Sequence, residues 1–211
     1  MLFRASTIGV RVTNRQSAVT NDSCKNSRPS SYCLFETPLG TCGIAWRESS
    51  DSGSPPAVTL LQLPEATPQK TESHTAQRAG SRRPSVPPPR IAEVIEKIRR
   101  HLRGEVQDFR DVAVELSCVP TFARQVYEAA REIHPGQTRT YGEIAKVLGQ
   151  PAAAQEVGQA LSKNPIPLIV PCHRVSAADG KLGGFSAPGG RTTKAKLLAL
   201  EGAPVNLPLF S

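Results

Sequence analysis

The stretch Asn164-Pro-Ile-Pro-Leu-Ile-Val-Pro-Cys-His-Arg-Val175 governs the reading of the whole chain. Proline fixes φ and pushes the residue before it toward β or polyproline geometry, so this run predicts a rigid, extended, apolar segment. The segment delivers Cys172, with an imidazole at His173 and a guanidinium at Arg174. The thiolate is the nucleophilic form of cysteine, and nearby positive or proton-accepting groups lower a thiol's pKa. Cys172 is therefore expected to be a reactive nucleophile, made anionic by the adjoining imidazole.

Downstream lies a glycine-rich loop, Asp179-Gly-Lys-Leu-Gly-Gly-Phe-Ser186 followed by Ala187-Pro-Gly-Gly190, whose small residues let backbone approach a ligand. Thr192 or Thr193 is expected to cap a helix through Leu197, Leu198 and Glu201, ended by Gly202. Glu201 follows two leucines by three and four positions, which puts it on their buried face. A buried acid needs a partner, and a histidine suits; the plainer alternative is that Glu201 frays into solvent.

Upstream, Pro151 at a first helical position predicts a helix from Ala152 to about Ser162. Before it, Thr140-Tyr-Gly-Glu143 is a capping box that starts a short helix closed by Gly149. Two short helices across a tight glycine turn make a helix-turn-helix, whose second helix usually meets DNA; a plain αα-hairpin is the commoner arrangement. Phe122, Val126, Ala129, Ala130 and Ile133 mark a further helix that Pro135-Gly136 terminates.

The first half reads differently. Cys33–Thr37 and Thr41–Trp46 flank Pro38-Leu-Gly40 as a hairpin, and Val58–Leu63 is a third strand. Residues 64–90, with six prolines among Ser, Thr, Gln and Arg, read as a loop. Ile91, Val94, Ile95, Ile98 and Leu102 recur at helical spacing and would cover the small sheet. No constellation of reactive groups stands out in this half.

The chain has 211 residues, enough for one large domain or two small ones. The formal net charge is +8, and it is unevenly placed. Residues 1–30 carry five basic against one acidic side chain, residues 31–118 eleven against eleven, and residues 119–211 ten against six. A basic surface attracts nucleic acid or anionic membrane, although solubilising charge is an equal alternative. The five cysteines (Cys24, Cys33, Cys42, Cys118 and Cys172) show no CxxC pair and no zinc-type cluster, so no metal is expected. A working thiol fits a reducing, intracellular setting in cytoplasm, nucleus or nucleoid. No run approaches the roughly 18 apolar residues of a membrane span. Residues 1–30 loosely resemble an organellar transit peptide, with a disordered tail as the preferred reading.

Pro171-Cys-His-Arg-Val175, Asn164-Pro-Ile-Pro167, Thr140-Tyr-Gly-Glu-Ile-Ala145 and Leu198-Ala-Leu-Glu-Gly202 together resemble the O6-alkylguanine-DNA alkyltransferases, also called methylated-DNA–protein-cysteine methyltransferases. The match covers most of residues 119–202, while residues 33–118 resemble the family's variable N-terminal domain only loosely. The resemblance implies an α+β protein. A small N-terminal α/β domain (31–118) with a short antiparallel sheet and a Pro-rich loop at 64–90 would precede a mostly helical, winged-helix-like C-terminal domain (119–211). It further implies a single-turnover methyltransferase without cofactor, a monomer acting on double-stranded DNA through the minor groove. Cys172 would take the alkyl group from O6 of guanine, with O4 of thymine as a secondary substrate, after the base leaves the stack.

Residue by residue, the resemblance makes His173 the acceptor of the thiol proton through a water, and Glu201 the group that orients the imidazole. Asn164 matches the family's hinge asparagine. Tyr141 matches the tyrosine that rotates the target phosphate and donates to guanine N3. Phe185 lines the base pocket, Ser186 bonds O6, the Cys172 and Val175 carbonyls receive the exocyclic amine, and Pro167 and Leu161 form apolar walls. The implied DNA contacts are Gln155, Ala152, Tyr141 and Arg174. One departure stands out: the family's helix arginine, which fills the gap left by the flipped base, is replaced here by Gln155, with Glu156 next to it. Gln lacks the fixed cation and planar fork, so weaker DNA binding is expected. The alternative function is a sensor of alkylated DNA with weak or no transfer; a cysteine hydrolase or a plain helix-turn-helix regulator fits the nucleophile's setting less well.

Overall fold

The computed structural model describes residues 29–49, 53–178 and 181–203. Residues 1–28 of the expected tail, Asp179 and Gly180 of the glycine-rich loop, and residues 204–211 lie outside that set. Pro29 and Ser30, counted with the tail from sequence, belong to the fold: Ser30 is buried and its N–H donates to the Ala79 carbonyl at 2.8 Å.

β1 (Ser31–Thr37), β2 (Gly40–Arg47) and β3 (Ala57–Gln62) form an antiparallel sheet in chain order. The predicted hairpin is present, with Thr37 opposite Gly40. A bulge between Ala45 and Trp46 shifts the β2–β3 register. Nearly every β2 side chain is buried, because the sheet is covered on both faces.

One cover is α1 (Pro68–Ala79), which corrects the expectation of a structureless Pro-rich loop over 64–90. The prolines sit at the helix ends, where they do no harm: Pro68 occupies the first turn, whose N–H groups lack intrahelical partners anyway. Thr67 caps that turn by accepting from the Lys70 N–H, and Gly80 closes the helix in the left-handed region. α1 lies so close to β2 that a Cβ on Gly43 would stand 2.0 Å from Thr75 Oγ1. The other cover is α2 (Pro89–Leu102), which buries Ile91, Ile95, Ile98, His101 and Leu102.

α3 (Thr121–Arg131) is followed by α4 (Tyr141–Val147) and α5 (Ala154–Ser162). The Thr140–Glu143 capping box forms in both directions: Thr140 Oγ1 accepts from the Glu143 N–H and Glu143 Oε2 from the Thr140 N–H. α5 starts two residues later than expected, since residues 151–153 form a turn and Ala153 is the N-cap. A short parallel ladder, β4 (Arg139–Thr140) with β5 (Val175–Ser176), ties the entrance of α4 to the segment after Cys172. α6 (Gly190–Leu200) has Gly189 as its N-cap and not a threonine; Thr193 Oγ1 instead donates to the Pro188 carbonyl.

The two halves share one hydrophobic cluster running from Cys33, Ile44 and Trp46 through Ile98 and Val126 to Ile169 and Leu197. A backbone hydrogen bond from Leu61 on β3 to the Pro165 carbonyl (2.9 Å) fixes the sheet against the Asn164–Cys172 segment.

Candidate active site

The Asn164–Val175 segment is not extended, contrary to the sequence expectation. Ile166 and Val170 close a turn through the Val170 N–H to the Ile166 carbonyl, and Leu168 sits inside it at φ 71°. A buried leucine in the left-handed region is strained, and it persists only where its surroundings over-determine it. Here the surroundings are the Asn164 amide. Its Oδ1 accepts from the Ile166 N–H at 2.9 Å, while Nδ2 donates to the Val170 carbonyl at 2.8 Å and to Cys172 Sγ at 3.2 Å. The prolines bring rigidity but no N–H donors, so a side chain latches the turn where strand pairing cannot. Cys172, His173 and Arg174 then form a single 3-10 turn.

Asn164 Nδ2 and the backbone N–H groups of Cys172 and His173 all face the sulfur, and Lys194 adds a nearby positive charge. These favour a thiolate, but burial outweighs them and pushes the Cys172 thiol above its ordinary value. Burial thus favours the protonated thiol at rest, against the standing thiolate expected from sequence. His173 is fully buried, and burial holds its pKa below the usual histidine value against the pull of Glu201. Thiol and imidazole are both neutral at rest.

Glu201 is the anion of the site. Its Oε1 accepts from His173 Nε2 at 2.9 Å and Arg174 Nη2 at 2.8 Å, and its Oε2 accepts from Arg174 Nε at 2.9 Å. Burial alone would raise this carboxyl, yet the hydrogen bonds from His173 and Arg174, with the His101 imidazole close by, hold it well below the usual carboxylate range. An ionised carboxylate accepts only, so the His173 proton sits on Nε2. Nδ1, which has no hydrogen-bond partner among the described residues, is the nitrogen free to take a proton.

Arg174 is the sequence-based DNA contact that the structure contradicts. It is buried, bidentate on Glu201, and donates through Nη1 to the Ile133 carbonyl. A guanidinium that neutralises an internal carboxylate is unavailable to phosphate. Gln155, Ala152 and Glu156 are exposed, on or just before α5.

Cys172 opens into two cavities. One, of about 490 Å³, lies between Tyr141, Gln155, Gly158 and Leu161 of the helix-turn-helix and Phe185 and Ser186 of the glycine-rich loop. The other, of about 440 Å³, runs from Cys172 past Asn164, Pro167 and Phe185 toward Gln62, His74 and Arg78. Gly183 shapes the first: its φ is +69°, and a Cβ there would stand 2.7 Å from the Tyr141 hydroxyl oxygen. Burial raises the Tyr141 phenol, with Cys172 adding to the effect, so the hydroxyl keeps its proton and remains a donor. The Val175 carbonyl already accepts Lys194 Nζ at 2.6 Å, leaving one lone pair for a ligand.

Two residues at the site escaped the sequence reading. Lys194 is fully buried, and burial brings its ammonium down to about 8. It stands seven positions before Glu201 on the same helical face, so the spacing carried the signal. His101 lies on the buried stripe of α2, its Nε2 3.2 Å from Glu201 Oε1.

The sequence profile of the 6-O-methylguanine DNA methyltransferase DNA-binding domain matches residues 121–203. A methylated-DNA–protein-cysteine methyltransferase of Mycolicibacterium paratuberculosis is 35% identical over 181 residues, 85% of this chain and 98% of the relative. One of Methanosarcina acetivorans is 45% identical over 175 residues, covering 82% and 98%. Among solved structures, the Mycobacterium tuberculosis O6-methylguanine methyltransferase superposes with a TM-score of 0.63 at 35% identity, over 86% of this chain and 99% of that one. Mycobacterium tuberculosis OGT in complex with DNA gives 0.62, also at 35% identity, over 82% and 95%. The fold and site therefore define a cysteine-dependent alkyl-acceptor protein with a helix-turn-helix. The chain belongs to the methylated-DNA–protein-cysteine methyltransferase family.

Proposed function

We propose that the protein repairs DNA by moving an alkyl group from O6 of guanine to Cys172, once per molecule. The observation that carries this reading is the placement of Sγ: latched by Asn164, opening into a cavity beside the helix-turn-helix, next to a histidine whose other nitrogen is bound to an internal carboxylate. Sγ attacks the alkyl carbon in line with the breaking C–O6 bond. The S–C bond forms, the C–O6 pair returns to the purine, and the thiol proton passes through a water to His173 Nδ1. Glu201 stabilises the resulting imidazolium, and the Tyr141 hydroxyl donates to N3 of the departing guanine. No cofactor takes part, and the thioether product leaves no nucleophile for a second cycle.

In this reading the base leaves the duplex from the minor-groove side and enters between Tyr141, Leu161 and Phe185. Ser186 donates to O6, the Cys172 and Val175 carbonyls receive the exocyclic amine, and Pro167 packs against the alkyl group. Gln155 fills the space the base vacates, Ala152 approaches the backbone, and the protein works as an intracellular monomer. Unstacking costs a few kcal/mol, least for a damaged pair, which supplies part of the selectivity. A protonated resting thiol fits this sequence of events, since its proton leaves for His173 only as the alkyl carbon is attacked. The test uses duplex DNA with a radiolabelled O6-methyl group. Wild-type protein is expected to take up the label and Cys172→Ser to bind the DNA while leaving the label on it; label transfer by Cys172→Ser would refute the assignment.

A further inference from the structure

The Glu201 carboxylate is held from a third direction. His101, in the last turn of α2, is 1% exposed and points Nε2 at Glu201 Oε1 from 3.2 Å. Its Nδ1 accepts from the Gln107 backbone N–H at 3.1 Å, which leaves the ring hydrogen on Nε2, the side facing the carboxylate. The ring stacks edge-on against Phe109, with centroids 5.3 Å apart, so it cannot swing away without breaking two contacts. The Nε2–H lies off the line to the oxygen, and the contact falls short of a full hydrogen bond. Apo sites often show such loose contacts, which tighten in the reacting complex.

From this juxtaposition we infer that His101 is a positioning residue for the transfer reaction, through which the N-terminal half holds the Glu201–His173 pair in register. The inference rests on the reading that Cys172 accepts the alkyl group. Arg174 alone leaves Glu201 free to rock about its two-pronged contact. A donor from α2 on the remaining side fixes Oε1 under His173 Nε2 and keeps that imidazole's Nδ1 turned toward the thiol. The groups facing Oε1 are His173 and Arg174 from the 3-10 turn and His101 from α2. No atom of His101 needs to touch the substrate. The N-terminal half, which otherwise looks like a scaffold, thereby reaches the chemistry through one side chain.

Two substitutions test it. His101→Phe keeps the stacking on Phe109 and removes the donor; His101→Gln keeps an N–H near the position of Nε2. Affinity for O6-methylguanine duplex and the single-turnover transfer rate are measured separately. His101→Phe should bind DNA within about twofold of wild type and transfer methyl roughly tenfold more slowly, as expected for losing a hydrogen bond to a charged group. His101→Gln should recover most of that rate. A wild-type rate in His101→Phe, or a folded His101→Gln as slow as the phenylalanine variant, overturns the inference. Should His101→Phe fold poorly, the ring 15N shifts of His173 in the glutamine variant provide the second readout: they should match wild type, and a changed Nε2–H signal overturns the inference. Wild-type protein that transfers no methyl would overturn the reading of Cys172 itself, a separate outcome.

Discussion

Cys172 and Glu201 set opposite problems for the same interior: one must stay neutral until needed, the other must stay charged throughout. Burial pushes the thiol up, so alkylation of Cys172 by iodoacetamide, followed in its own peptide, should be slow at neutral pH. The rate should climb only as pH passes beyond the ordinary thiol range of about 8.5, and a midpoint near or below neutrality would contradict a protonated resting state. Glu201 is ionised because three side chains surround it. Its folded pKa is depressed, so its stabilisation is present above the unfolded carboxyl value and lost as pH falls below about 4. Glu201→Gln strips Arg174 of its buried partner and should cost about 3–5 kcal/mol in denaturant titrations at neutral pH. The variant should also lose stability less steeply in acid than wild type; equal acid sensitivity would remove Glu201 as the responsible group. Cys172 and His173 stood out in the sequence itself, as adjoining thiol and imidazole; Asn164's part came from the family resemblance, which also tipped Glu201 from a frayed helix end to an internal acid. His101 was visible only as one polar position on an apolar stripe, and the spacing gave no sign that α2 would end against Glu201.

At the level of elements, prolines misled in two places for related reasons. Around α1 they suggested a loop, although Pro68 and Gly80 are helix boundary residues and Thr67 supplies the cap. Around Cys172 they suggested extension, but proline donates no N–H, and the Asn164 side chain bonds the turn instead. The hairpin, α2, α3 and the Thr140 capping box follow local patterning and appear as read. The packing of α1 on β2 needs a glycine: Gly43→Ala drives a methyl into Thr75, whose Oγ1 is itself bonded to the Thr71 carbonyl at 2.6 Å. Overpacking of this kind should cost about 1–3 kcal/mol, read as a lower denaturation midpoint, and an unchanged midpoint would mean that α1 simply lifts off.

For the whole molecule, the sequence suggested a scaffold followed by a reactive half, and the shared cluster could not have been foreseen. It arises from long-range contacts, such as Leu61 to Pro165 and α2 to Glu201, that no local pattern encodes. Charge was more legible. The basic surplus is shared equally by residues 1–30 and by the half bearing the helix-turn-helix, and within that half Gln155 and Glu156 present no cation at the exposed start of α5 while Arg174 is turned inward. Gln155→Arg should therefore tighten DNA binding and steepen its salt dependence by about one unit of slope. Unchanged affinity and slope would place this residue away from the nucleic acid.

Mass spectrometry of the protein after incubation with a stoichiometric amount of O6-methylguanine duplex addresses the central claim most directly. The peptide carrying Cys172 should be heavier by one methylene in proportion to the lesion supplied, with Cys24, Cys33, Cys42 and Cys118 unchanged. An unmodified Cys172, or methyl on another cysteine, would contradict the account.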